Sequence, residues 1–171
     1  ASRAHCHRAY RVGQGSPAAL DDPRGTQITG FPFSAPGAGI SGSLEAFLSA
    51  GPSPVAFSLG SASGAMSGSF FQDAINACQL LGVRGLIFSG RETFEAPPES
   101  VLAVDFEPFD IVLPRCAAFV HHGSAGSTAA GLRAGIPTVV MPLAHDQFDH
   151  ASRLEGLGVS RTLNKKDLTQ E

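Results

Sequence analysis

The stretch Ala117-Ala118-Phe119-Val120-His121-His122-Gly123-Ser124-Ala125-Gly126-Ser127-Thr128 passes from an apolar run through two histidines into small residues. Ala117 to Val120 has the form of a buried strand. Thr128 to Ala134 behind it reads as a helix closed by Gly135. Between the two, Gly123 and Gly126 let backbone amides approach an anion closely, and Ser127 and Thr128 add hydroxyl donors. The helix N-terminus adds unpaired N–H groups and a partial positive charge. His122 stands where an imidazole can donate to a phosphate oxygen. The plainer reading is a tight strand-to-helix turn with a capping serine, but it gives no reason for two adjacent histidines.

The same alternation extends in both directions. Downstream, Thr138 to Met141 is a strand ending at Pro142, and Gln147 to Leu157 is a helix closed by Gly158. Upstream, Pro54 to Leu59 is a strand ending in Gly60-Ser61. Phe70 to Leu81 is a helix with Phe71, Ala74, Ile75, Cys78 and Leu81 on one face and Gly82 at its end. Leu86 to Phe88 and Val101 to Phe106 read as strands, and Ser43 as the cap of a short helix, Leu44 to Ala50. Short apolar strands alternating with helices predict an α/β fold, a Rossmann-like parallel sheet with helices on both faces. Residues 1–27 show neither period and read as a linker or tail, leaving 28–171 as the folded domain. Such sheets bind ligands at the carboxyl ends of their strands. Gly60-Ser61, His121 to Thr128 and Pro142 to Gln147 therefore become the candidate site.

Pro142-Leu143-Ala144-His145-Asp146-Gln147-Phe148-Asp149-His150 is the second dense segment. Asp146 is a natural helix N-cap. The adjacent carboxylate and carboxamide of Asp146 and Gln147 also suit the vicinal hydroxyls of a sugar. No metal site is expected here, because His145 and His150 are five apart and do not share a helical face. His5-Cys6-His7 has no fourth ligand nearby and is not read as a metal site either. Gly37-Ala38-Gly39-Ile40-Ser41-Gly42 spells GxGxxG but follows no apolar strand and has no acidic residue at the ribose distance, so it reads as loop. There is no Walker A sequence. Gly60-Ser61-Ala62-Ser63-Gly64 carries alanine where a nucleophile elbow needs serine.

Composition sets the outer bounds. The chain has 171 residues, 43% hydrophobic and 16% charged, with 20 Gly and a net charge of −3. That is too apolar for a disordered polyelectrolyte and too acidic for general nucleic-acid binding. No apolar run approaches the ~20 residues of a membrane span. Cys6, Cys78 and Cys116 are too few and too scattered for a disulfide framework, which points to a reducing, cytoplasmic setting. The chain starts at Ala1 and stops after Asp167-Leu168-Thr169-Gln170-Glu171, and reads as a piece of a longer protein.

At these two segments the sequence resembles the nucleotide-sugar motif of UDP-glycosyltransferases of the GT-B fold, most of all the bacterial and sterol-glucosyltransferase-like members. The family pattern runs HHGGAGTT, Leu-Arg-Ala-Gly-x-Pro, then DQ. Here it stands as His121 to Thr128, Leu132-Arg133-Ala134-Gly135-Ile136-Pro137, and Asp146-Gln147. Gly30-Phe31-Pro32-Phe33, Phe57-Ser58-Leu59-Gly60-Ser61 and Phe106-Glu107-Pro108 follow the family order too, so the likeness covers about positions 28 to 158. It implies the C-terminal, donor-binding domain of an inverting enzyme that moves a sugar from a UDP-sugar, UDP-glucose among them, to a hydroxyl of a sterol or other lipophilic aglycone. His122, Gly123, Gly126, Ser127 and Thr128, with Ser61 from the first strand end, would hold the diphosphate. Asp146 and Gln147 would hold the sugar, and Phe106 would flank the base.

By the same resemblance no cofactor or metal is required. The catalytic base lies in an N-terminal domain against which this one packs, this piece alone does not turn over, and the acceptor is reached in the cytoplasm or at a membrane surface. Ser124 replaces a family Gly, Ser127 a Thr, and His150 stands where Asn often follows DQ. Ala130 stands where plant relatives carry a ribose-binding Glu. A non-catalytic nucleotide-sugar-binding module and a UDP-sugar epimerase of the GT-B fold are the alternatives. A Rossmann dehydrogenase lacks its fingerprint.

Overall fold

A computed structural model describes residues 31, 33, 39–60, 69–90 and 96–164. Helix α1 (Gly42–Ser49) leads into β1 (Val55–Ser58), α2 (Phe70–Leu81), β2 (Gly85–Phe88) and β3 (Val101–Val104). One turn of helix, α3 (Phe109–Val112), continues as a 3-10 turn, Leu113–Arg115. Then follow β4 (Ala118–His121), α4 (Ala125–Ala134), β5 (Thr138–Val140), α5 (Gln147–Gly156) and β6 (Ser160–Thr162). The six strands form one sheet in the order β3-β2-β1-β4-β5-β6, and every pairing is parallel.

The two faces of the sheet are apolar for the same reason, a period of two in the central strands. Phe57 and Ile87 point to the face covered by Phe70, Phe71, Ala74, Ile75 and Cys78 of α2. Ala56, Leu86, Phe88 and Phe119 point to the other, packed by Leu44 and Leu48 of α1 with Val112 and Leu113. Val140 joins Ala151 and Leu154 of α5. Phe119, Leu86, Ile87 and Leu44 are fully buried, each contributing about 1.5–3 kcal/mol of burial. Helices on both faces of a parallel Rossmann-like sheet are thus what the sequence predicts. Cys78 and Cys116 are buried free thiols, and burial pushes Cys116 up to about 11 against the pull of Arg115.

Several boundaries differ from expectation. Ser41, not Ser43, caps α1: its backbone is extended and its Oγ accepts the Leu44 N–H at 3.4 Å. Helix α4 begins at Ala125, three residues before the expected Thr128, because Ser124 is its N-cap and accepts the Ser127 N–H at 3.4 Å. Ala125-Gly126-Ser127 has weak intrinsic helix preference, so the cap and packing decide the outcome. Strand β3 ends at Val104, leaving Phe106 outside it and 86% exposed. Leu81 is 71% exposed rather than on the buried face of α2. Cys78 already packs over Gly85, the first residue of β2, so Leu81, one ~5 Å turn further, overshoots the sheet. Neither α3 nor the edge strand β6 is foreseen. The 1–27 tail, Cys6 and the His5-Cys6-His7 segment lie outside the described residues.

Candidate functional site

Strands β1 and β4 are neighbours, and the chain leaves them for opposite halves of the sheet, β1 toward β2 and β3, β4 toward β5 and β6. This is the topological switch point of a doubly wound sheet, where a crevice opens at the carboxyl ends. Ser58 pairs with His121, so Leu59-Gly60 and His122-Gly123 leave the sheet side by side. Gly60 has a φ of +70°, and a Cβ there would fall 2.6 Å from Cε1 of His122. The glycine makes room for the imidazole. Ser61, one residue further, lies outside the described residues.

His121 is fully buried and stacks on Phe119 at 4.8 Å between ring centroids. Its Nδ1 accepts the Gly123 N–H at 3.0 Å, so Nε2 carries the proton of the neutral ring. Burial, then the neighbouring His122 and His150, lower its pKa to about 3. His122 is buried as well and is lowered chiefly by desolvation, with the Ser58 backbone and the Asp146 carboxylate pulling the other way. His121 Nε2, His122 Nδ1 and Thr128 Oγ1 are buried with no hydrogen-bond partner among the described residues. Each such atom costs about 1–3 kcal/mol, a pattern found where polar groups are kept for a ligand. All three belong to the turn from β4 into the first residues of α4, whose N-terminus carries orphan N–H groups. Ser127 and Thr128 are buried, and Gly126 is exposed with open space where a Cβ would lie.

The loop from β5 to α5 converges on the same point. Gln147 Oε1 accepts the amides of Leu143 and Ala144 at 2.7 and 3.0 Å, folding the loop back on its helix. Its carboxamide oxygen is thereby committed to the loop. His145 holds a φ of +56°, left-handed backbone that a non-glycine residue adopts at some cost. Asp146 occupies the N-cap position of α5 but makes no side-chain cap bond. Its Oδ2 instead lies 3.6 Å from Nε2 of His150, one turn along. His150 is 1% exposed, and its Nδ1 meets the Gly123 carbonyl at 2.5 Å. Desolvation lowers it most; the Gly123 backbone, Asp146 and Asp149 raise it, and Arg153 lowers it.

Gly123 is therefore held from both sides, by His121 at its N–H and His150 at its carbonyl. Sequence reasoning finds the turn but misses this clamp. The i,i+4 spacing of Asp146 and His150 was the available signal. Phe106 stands apart, beyond β3 at the edge of the sheet. Among the described residues no group of three or more His, Cys, Asp and Glu is placed to hold a metal ion, and no helix is long and apolar enough to cross a membrane. A cavity of about 490 Å³ opens at the amino ends of β5 and β6, lined by Gly135, Pro137, Thr138, Glu155 and Ser160. It lies away from the β1/β4 switch point, and the convergence of polar groups, not cavity size, marks the candidate site.

The fold is a doubly wound, Rossmann-like parallel sheet with a polar strand-to-helix turn at its switch point. Residues 86–171 match the family model described as "Erythromycin biosynthesis protein CIII-like, C-terminal domain", and the chain belongs to that family. Among curated proteins, it is 37% identical over 126 residues to glycosyltransferase GtfC of Amycolatopsis orientalis, which covers 72% of this chain and 31% of GtfC. It is 47% identical over 73 residues to sterol 3-beta-glucosyltransferase of Yarrowia lipolytica, covering 43% of this chain and 5% of that protein. Among solved structures, the glycosyltransferase of kitacinnamycin superposes with a TM-score of 0.62 at 31% identity, covering 68% of this chain and 32% of that one. Spinosyn rhamnosyltransferase SpnG with its aglycone superposes at 0.70 over 89% of this chain and 42% of that one; at 24% identity it speaks for the fold alone. The chain spans less than a third of the length of the curated relatives named here.

Proposed function

We propose that this chain is the donor-binding half of a glycosyltransferase and that it holds a nucleotide-sugar, UDP-glucose or a close analogue, at the β1/β4 switch point. The carrying observation is the set of buried unpartnered atoms, His121 Nε2, His122 Nδ1 and Thr128 Oγ1, gathered at the amino end of α4. The diphosphate lies on that helix end, met by His122, Gly123, Gly126, Ser127 and Thr128, with Ser61 reaching from the β1 side. Asp146 and the Nε2 of Gln147 meet the sugar hydroxyls, and Phe106 flanks the base. In the transfer, an acceptor hydroxyl oxygen attacks the anomeric carbon from the face opposite the diphosphate, inverting it. The bond to the phosphate oxygen breaks and its electron pair leaves with the diphosphate. The hydroxyl proton goes to a base outside this chain. Fixed N–H groups and His122 stabilise the charge on the leaving group, and no metal takes part. The acceptor is a sterol or another lipophilic aglycone, in keeping with the names of the relatives.

Calorimetric titration with UDP should show weak binding by this chain, unchanged by a chelator, and no sugar transfer. No binding at millimolar nucleotide would overturn the donor-site proposal. Gly126→Ala separates a binding glycine from a structural one. In a helix with open space around it, the change should leave stability equal or raise it by about 0.5–1 kcal/mol. On the donor-site proposal the added methyl crowds the diphosphate, so UDP affinity should fall. Unaltered UDP affinity in a fully folded Gly126→Ala protein would remove Gly126 from the site.

A further inference from the structure

We infer that Glu107 is a positioning residue: its buried carboxylate ties the loop that carries Phe106 to the start of α1, and so holds the exposed Phe106 ring in place for the nucleotide base. The inference rests on the donor-site proposal, in which Phe106 flanks the base, and gives a role to a side chain that the proposal leaves unused.

Helix α1 carries half of a capping box. Ser41 at its N-cap accepts the Leu44 N–H at 3.4 Å. In the full motif the residue at that third helical position is a Glu or Gln that returns a bond to the N-cap N–H. Leu44 cannot do so, and it is fully buried against the sheet. The Ser41 N–H goes instead to Glu107, at 3.1 Å to Oε1 and 3.3 Å to Oε2, across 66 positions of sequence. The missing half of the box thus comes from the loop between β3 and α3. A carboxylate beside a helix N-terminus is favoured by the helix dipole as well.

The loop passes this restraint directly to Phe106. Asp105 to Pro108 bridge two fixed points. Before them, the Val104 carbonyl accepts the Ser89 N–H at 2.9 Å. Behind them, the Phe109 ring packs edge-on against Phe88 and Phe119, at 4.8 and 5.4 Å between centroids. Within the span, Pro108 keeps Glu107 out of helical backbone, and successive residues of an extended segment point to opposite sides. Glu107 is accordingly 8% exposed and Phe106 86%. A ring exposed to that extent is oriented by its backbone rather than by packing, and the bond made by the next side chain fixes that backbone.

The test measures, by calorimetry on this chain, the ratio of the Kd of inorganic pyrophosphate to that of UDP. That ratio isolates the nucleoside contribution from the diphosphate site. In Glu107→Ala it should shrink by about fivefold, part of what a base stacked on an aromatic side chain contributes. Ser41 is exposed, so water can take over its N–H and the variant should fold. Glu107→Gln keeps a side-chain oxygen for the Ser41 N–H and should restore most of the ratio. Ser41→Ala is the control for stability, because it removes the Oγ cap of α1 but keeps the N–H that Glu107 holds. There the urea midpoint should fall while the ratio stays at the wild-type value.

An unchanged ratio in Glu107→Ala while UDP binds overturns the role of Glu107 and leaves the donor site standing. So does a loss in Ser41→Ala or in Glu107→Gln equal to that in Glu107→Ala. Failure of UDP to bind the wild-type chain overturns the donor-site proposal and this inference with it. Should Glu107→Ala not fold, hydrogen exchange of the Ser41 amide in the wild-type chain decides. Coupling between two sites is reciprocal, so UDP should slow that exchange more than pyrophosphate does at equal occupancy. Equal slowing overturns the inference.

Discussion

Replacing Gly123 by alanine will destabilise the domain by about 3 kcal/mol and, on the donor-site proposal, abolish nucleotide binding. Two costs add. Gly123 has a φ of +88°, and a side chain in left-handed backbone costs roughly 1–2 kcal/mol. A Cβ built there also falls 2.8 Å from Cγ1 of Val140 and 3.2 Å from the carbonyl oxygen of Gln147. Val140 is fully buried and Gln147 O is backbone at the start of α5, so neither moves aside freely, and overpacking of this kind costs about 1–3 kcal/mol. Relief by shifting the turn would break the bonds to His121 and His150 that clamp Gly123. The urea midpoint should drop with an unchanged slope, the signature of lost stability without a change in the unfolded chain. A loss below about 1 kcal/mol would mean that the turn adapts and that its geometry is not tightly determined.

This turn also shows how far the sequence could be read. The sheet was legible because its central strands are short apolar runs that must be buried on both faces. Helix α2 was legible to the residue, because a one-sided apolar face ends in a left-handed glycine, Gly82. Edge strand β6, Ser160-Arg161-Thr162, was not, since an edge buries too little to demand apolar residues. The start of α4 was not, because a cap and tertiary contacts outweigh the poor propensity of Ala125-Gly126-Ser127. In the site, His122, Gly123 and Thr128 stood out by residue type at a strand-to-helix junction. The partners of Gly123 did not. His121 lies two residues away and His150 twenty-seven, and only the packing of α5 on β5 brings that second imidazole to the carbonyl. Gln147 shows the same limit: its residue type announces hydrogen bonding, but not that Leu143 and Ala144 already occupy its oxygen.

The second large effect is acid sensitivity well above the range where carboxylates titrate. His121 has a folded pKa of about 3 against an ordinary value of 6.5, because the ring is buried beside His122 and His150. Its Nδ1 is also spent on accepting the Gly123 N–H, so a second proton would replace an attraction by a clash of two donors. Between those two pKa values the unfolded chain binds a proton that the folded chain refuses. Stability therefore rises with pH across this window and falls as pH drops below 6.5. By about pH 5 the loss from His121 alone amounts to about 2 kcal/mol, on 1.36 kcal/mol per unit of pKa difference. His122 and His150 are lowered as well and act in the same direction. Urea midpoints measured from about pH 7.5 to about pH 5 should fall steeply, a window set by imidazole titration. In His121→Asn the side-chain oxygen can accept the Gly123 N–H without titrating, so the protein should start less stable, from the lost ring packing, but lose less on acidification. An equal slope in the two proteins would place the refused proton on another group, whereas a shallower one identifies His121 as the buried neutral imidazole that the turn is built around.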